Sequence, residues 1–329
     1  MEEEYMDTDR FQKFLEGRGA SEEKFDLYIA IAEEFEEFLK GSNHIKSPAP
    51  DDIFDFSKWM IDEKVNTYDN YLGLALYGRF IGRMDIRNAV VALLDGAEAM
   101  NNLYEKVGKE LGSEQRKTIF ASVKLPELGT PNAEKTKVTQ VVMERLEDTI
   151  GEEKTSALLA DCLRDLDVAW FKDAREKYLE LGDFDQFLQW KGNDFIAQLE
   201  KIKAEDDVFF NQKISDEVIA YVEANPEIRQ GVREGNILYE AKIPYMAIEY
   251  LAENDEKLKR YYYCHCPWAR ESIIQDNVEI PPTFCSCSSG FHKKYYEAVL
   301  DQPLKAEVVE TVLAGDPWCK FAIHLPEGV

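Results

Sequence analysis

Three consecutive stretches decide the class of fold: Phe291-His-Lys-Lys-Tyr-Tyr-Glu-Ala-Val-Leu300, Leu304-Lys-Ala-Glu-Val-Val-Glu-Thr-Val-Leu313 and Gly315-Asp-Pro-Trp-Cys-Lys-Phe-Ala-Ile-His-Leu325. In the first, Phe291, Tyr295, Ala298 and Val299 recur at the spacing of one helical face. The second is rich in β-branched and alternating residues, so helix gives way to strand. Gly315-Asp316-Pro317 is a turn signal. Beyond it Cys319, Phe321, Ile323 and Leu325 alternate with Lys320, Ala322 and His324, the period-two pattern of a half-buried strand. The run predicts a helix followed by an antiparallel hairpin.

Upstream, the periodicity is helical. Ser21 is placed to cap a helix carrying Phe25, Tyr28, Ile31, Phe35 and Phe38 that stops at Lys40-Gly41. Further helices are expected over Asp52–Glu63, after an Asn66 or Thr67 cap, and from Asp85 through to Gly112. Pro126, Gly129, Thr130 and Pro131 mark 120–136 as a connector. More helices are expected over Val138–Ile150, Lys154–Leu166, Phe184–Ile202 after an Asp183 cap, Ser215–Glu223, and around Ile237–Leu251. The expected architecture is multidomain: an all-α amino-terminal bundle and central helices, then an α+β carboxy-terminal unit with an antiparallel sheet. The limits are drawn at 1–112 for the bundle, 113–136 for a linker and 137–329 for the rest, the cysteine-rich part being 251–329.

The chain has 329 residues, which sets a prior of about two domains. Its 64 Asp and Glu against 39 Lys and Arg give a formal charge of −25. The excess is spread along the chain, with 24 acidic and 13 basic residues in 2–112 and 12 and 8 in 251–329. Such a surface repels phosphate backbones and anionic membranes, so no nucleic-acid partner is expected. No apolar run approaches the roughly 18 to 20 residues of a membrane helix. The acidic start Met1-Glu-Glu-Glu-Tyr-Met-Asp7 is opposite in charge to a signal peptide, and a cytoplasmic location is expected. An aromatic content of 12% accommodates a homo-oligomer interface without demanding one.

Five of the six cysteines fall in 264–329: Cys264, Cys266, Cys285, Cys287 and Cys319. In a reducing compartment such crowding points to metal or redox chemistry rather than to disulfides. Two Cys-x-Cys pairs separated by a short excursion can supply the four soft ligands that zinc prefers. The competing account is a set of small buried hydrophobes. His265, Trp268, His292, Tyr295 and Trp318 are candidates to line a ligand pocket beside the cysteines. Asp161, Asp165, Asp167 and Asp173 read as a solvated helix face. Zincin, P-loop and dinucleotide-binding motifs are absent.

Phe284-Cys-Ser-Cys-Ser-Ser-Gly-Phe-His-Lys-Lys-Tyr-Tyr-Glu297, Gln302-Pro-Leu-Lys-Ala-Glu-Val-Val-Glu310 and Ala314-Gly-Asp-Pro-Trp-Cys-Lys-Phe321 together resemble the end of a 4-vinyl-reductase-type domain, a family that includes ligand-sensing domains of phenol-responsive activators. The cysteine-containing carboxy-terminus also resembles a family akin to amino-thiazoline-carboxylate hydrolases and uncharacterised prokaryotic proteins, and the whole stretch from about Val138 onward is most similar to the last group. In the sensor domains a zinc is held by a cysteine, a strand glutamate, a cysteine three positions later and the cysteine of a closing Gly-Asp-x-x-Cys. The resemblance implies Cys285 and Cys319 as the first and last ligands here. Val308 and Thr311 stand at the middle two positions, so Cys264, Cys266 or Cys287 would have to complete the sphere.

Phe11 to Asp85 resembles the four-helix core-binding module of tyrosine recombinases, carried by Phe11-Gln-Lys-Phe-Leu15, Tyr28, Phe35–Leu39, Ile53–Met60 and Tyr71–Ile81. Trp268 stands where a recombinase His-x-x-Arg beginning at His265 needs its arginine, so the shape is expected without the chemistry. Lys13, Arg79, Arg83 and Arg87 are the residues available for a basic spot. The leading expectation is a small-molecule-binding protein with a cysteine-ligated zinc. A hydrolase acting on a small heterocyclic or amide substrate through a pocket cysteine is the first alternative. A regulator touching DNA through the bundle is the second.

Overall fold

The computed structural model describes residues 6–42 and 44–329; the acidic start at 1–5 and position 43 of the loop after Gly41 lie outside them. The chain divides into two compact units. The first holds the described residues up to Ala97 together with Pro126–Glu134, and the second holds Glu98–Leu125 and Lys135–Val329. The division thus falls before the 112 limit drawn from the sequence. Gly96, with φ +58, breaks the expected long helix into Met84–Leu94 and Ala99–Glu110. The second piece buries Met100, Leu103 and Val107 with Leu146, Leu158 and Leu159 of the second unit. Ser113–Ile119, expected in a linker, is a helix.

The first unit is a bundle of helices Thr8–Gly17, Phe25–Gly41, Pro50–Asp62, Tyr68–Phe80 and Met84–Leu94. Asp7 and Thr67 accept N-terminal backbone N–H groups as caps, whereas Ser21 makes no side-chain cap and a single 3-10 turn, Glu22–Lys24, precedes the helix instead. Phe11, Phe35, Phe56, Tyr71 and Tyr77 fill its core. Gly129 of the returning segment presses on that core. Its carbonyl accepts from Ser57 Oγ at 2.8 Å, and a Cβ there would sit 1.7 Å from the Tyr71 hydroxyl.

In the second unit, helices Phe184–Ala204 and Asp216–Ala224 follow their Asp183 and Ser215 caps, and the carboxy-terminal helix and hairpin fall where the period change puts them. Helix Ser286–Leu300 leads to strands Lys305–Glu310 and Lys320–His324. Expectation and structure part at 237–251. Val232–Glu234 and Ile237–Ala241 form a hairpin around Gly235-Asn236, with Gly235 at φ +61. A glycine first in a two-residue loop is what a type II′ hairpin requires.

In chain order the strands are β1 (Val232–Glu234), β2 (Ile237–Ala241), β3 (Lys305–Glu310) and β4 (Lys320–His324), arranged β1-β2-β4-β3 with every pair antiparallel. β4 is therefore an interior strand, and Phe321, Ala322 and Ile323 are all buried rather than alternating. Opposed residues share a face, so Leu238, Glu240, Phe321, Ile323, Ala306 and Val308 point the same way. Helix Ser286–Leu300 covers this face, packing Tyr296 and Val299 against Leu238, Ala306 and Ile323. Among the described residues no helix is long and apolar enough to cross a membrane.

Candidate functional site

Five of the six residues on the covered face are apolar; the exception is Glu240. Its side chain is 7% exposed. Burial of a carboxylate without partners costs several kcal/mol, so its partners show what the position is for. Lys191, from helix Phe184–Ala204, pairs with Oε1, and the Tyr296 hydroxyl donates to the same oxygen at 2.6 Å. His292 Nδ1 lies 3.0 Å from Oε2. Burial opposes ionisation of Glu240, but Lys191 and His292 overcome it and hold the carboxyl at about 2. Lys191 also donates to the Tyr296 oxygen at 2.9 Å. Two helices and one strand thus meet in a single charge-assisted network.

His292 is tuned in the opposite sense. Burial lowers its pKa from the ordinary histidine value against the pull of Glu240, so the ring is neutral at pH 7. A carboxylate only accepts, so Nδ1 carries the proton and Nε2 keeps its lone pair. The ring packs at 4.7 Å on Phe321, and the side chain is 17% exposed. One turn back on the same helix, Ser288 Oγ accepts from Lys242 Nζ at 3.1 Å. Lys242 follows β2, lies over the Phe321 ring at 5.8 Å, and is near enough for its charge to depress His292. Among the described residues this half-buried ammonium has no carboxylate within ion-pair distance.

The cysteines divide into two groups. Cys264, Cys266, Cys285 and Cys319 lie near one another, close enough that a charge on one raises the pKa of its neighbours. Burial pushes the thiols of Cys264, Cys285 and Cys319 up, so they are protonated at neutral pH. The Thr311 hydroxyl stands between two of them, donating to Cys285 Sγ at 2.9 Å with Cys319 Sγ at 3.9 Å. A hydroxyl therefore occupies one of the ligand positions that the sensor resemblance implies, and Val308 pairs with Phe321 at another. Among the described residues no three His, Cys, Asp or Glu side chains are gathered so as to hold a metal ion. Cys287 is within hydrogen-bonding reach of Cys162 and also lies near Cys266.

The five pocket candidates sit in several different surroundings. His265 is buried and bonds through Nε2 to the Ile243 carbonyl at 2.6 Å. Trp268 belongs to the core built on Leu146 and Leu159. Tyr295 stacks on Phe187, and Trp318 lies beneath Lys320. His292 joins the polar network, and His265 lies close enough to Lys242 and His292 for their charges to lower its pKa. Asp161 pairs with Lys106 at 2.7 Å, and Asp167 caps the short turn Val168–Phe171, as solvated or capping carboxylates do. Sequence reasoning missed Glu240, Lys191, Lys242, Ser288 and Tyr296. The available signal was the Gly-Asn hairpin dipeptide at 235–236, which makes 237–241 a strand and puts Glu240 on the inward face with Leu238.

No protein-family model matches this chain, and no curated protein and no solved structure is similar to it.

Proposed function

We propose that the second unit binds a small organic acid at the Lys242, Ser288 and His292 face. The observation that carries this reading is the half-buried Lys242 ammonium, which has no carboxylate partner among the described residues of a chain whose formal charge is −25. An ammonium beside a hydroxyl suits a carboxylate. The lone pair on His292 Nε2 suits an N–H or O–H donor on the same molecule, so amino- and hydroxy-carboxylic acids are the favoured class. Glu240, Lys191 and Tyr296 act behind this face, fixing the histidine tautomer and orientation.

Thermal unfolding against a panel of small amino- and hydroxy-acids tests the reading, with the matching amides and esters as controls. A ligand at a hundredfold excess over its Kd adds about 2.7 kcal/mol of stability. Acids that raise the melting temperature while their amides do not support the reading. Equal responses to acid and amide contradict it.

A structural zinc on Cys264, Cys266, Cys285 and Cys319 is the second reading, favoured by the proximity of these four thiols. It requires the thiols to turn toward a common centre and lose their protons. Zinc quantified per chain in the purified protein decides it: about one equivalent, contributing on the order of 10 kcal/mol, supports the site. Folded, metal-free protein removes it.

A further inference from the structure

Two cysteines outside the network face each other across the turn that follows helix Glu152–Leu159. Cys162 occupies that turn with φ +67, a left-handed conformation uncommon for a residue with a Cβ. Cys287 lies in the first turn of helix Ser286–Leu300. Their side chains are within hydrogen-bonding reach of one another. The backbone of the turn holds both sulfurs: Leu163 N–H donates to Cys287 Sγ at 3.3 Å and Arg164 N–H to Cys162 Sγ at 3.4 Å. Gly290 makes the approach close, since a Cβ there would lie 2.6 Å from the Ala160 oxygen and 2.7 Å from the Cys162 nitrogen. The turn reaches the surface, both cysteines are half-buried, and the neighbouring Asp161 side chain is exposed.

We propose that Cys162 and Cys287 form a dithiol site that exchanges with low-molecular-weight disulfides. The Cys162 thiolate attacks one sulfur of the disulfide, whose S–S bond breaks and releases one thiolate. Cys287 then gives its proton to solvent and attacks the Cys162 sulfur, breaking the mixed disulfide and releasing the second thiolate. The protein loses two electrons and two protons, and the small disulfide is reduced to two thiols. The resulting bond ties the helix that carries Ser288 and His292 to the 160–164 turn. Cys266, of the group around Thr311, lies near Cys287 but takes no part, nor do Cys264, Cys285 and Cys319.

Oxidised glutathione is the probe, applied to the full-length protein. Free thiols counted after denaturation are expected to fall from six to four, and a non-reducing peptide map is expected to join the Cys162 and Cys287 peptides. Dithiothreitol reverses the change. Cys287→Ser is expected to accumulate glutathione on Cys162, because the second attack is lost. Retention of all six thiols overturns the proposal, as does any bridge that includes Cys264, Cys266, Cys285 or Cys319. The wild-type map decides by itself if the variant does not fold.

Discussion

A carboxylate on the apolar face of a sheet is tolerated here because three groups converge on it. Glu240 lies in register opposite Phe321, and Lys191, Tyr296 and His292 surround its two oxygens. Its folded pKa of about 2 lies below the ordinary 4.5, so its contribution is complete above pH 4.5 and is lost as the pH falls toward 2. At pH 3 the loss from this group is about 2 kcal/mol. Urea unfolding at pH 5.5 and pH 3 is expected to show wild type losing about that much more stability than Glu240→Gln, which cannot titrate; parallel losses contradict the assignment. At neutral pH Glu240→Ala leaves the Lys191 ammonium unpaired, and a destabilisation of about 3 to 5 kcal/mol is expected in the same assay.

At the scale of elements, helix Ser286–Leu300 joins the two halves of the chemistry. One part of it meets the sheet through Ser288, His292 and Tyr296, while Cys287 and Gly290 meet the 160–164 turn. Gly290→Ala places a methyl group against backbone that cannot swing aside. A destabilisation of about 1 to 3 kcal/mol is expected from chemical denaturation, and no change would show that the contact is loose. The helix and the β3–β4 hairpin were legible in the sequence because their signals are local: a 3.6-residue period, a Gly-Asp-Pro turn and a two-residue alternation. The hairpin at 232–241 was not, because apolar residues at 237, 238, 241, 245 and 248 fit one helical face, against which stand the Gly235-Asn236 pair and Pro244. The cysteine group was legible as a cluster in sequence. The network was not, because Lys191, Glu240 and His292 belong to three separate elements and form no motif. Thr311 illustrates the same limit: its place between two sulfurs comes from the bulged end of β3, where the register shifts between Val308 and Glu310.

At the scale of the whole molecule, acidity and site chemistry point in opposite directions. A formal charge of −25 disfavours polyanions, yet the site offers an ammonium to a single small anion. Over more than about 8 Å the field of the surface is screened at physiological salt, so the local cation governs a ligand at contact distance. No retention of double-stranded DNA is therefore expected even at low salt, whereas binding that weakens steeply with salt would show a segregated basic face. The small-acid site is tested most directly by calorimetric titration of the full-length wild type and of Lys242→Met with the panel of amino- and hydroxy-carboxylic acids. A charge-assisted hydrogen bond contributes about 1.5 to 3 kcal/mol, so saturable binding by wild type with a loss of at least about tenfold in Lys242→Met is the predicted result. Equal affinity in the two proteins, or no heat from any acid in the panel with wild type, would contradict it.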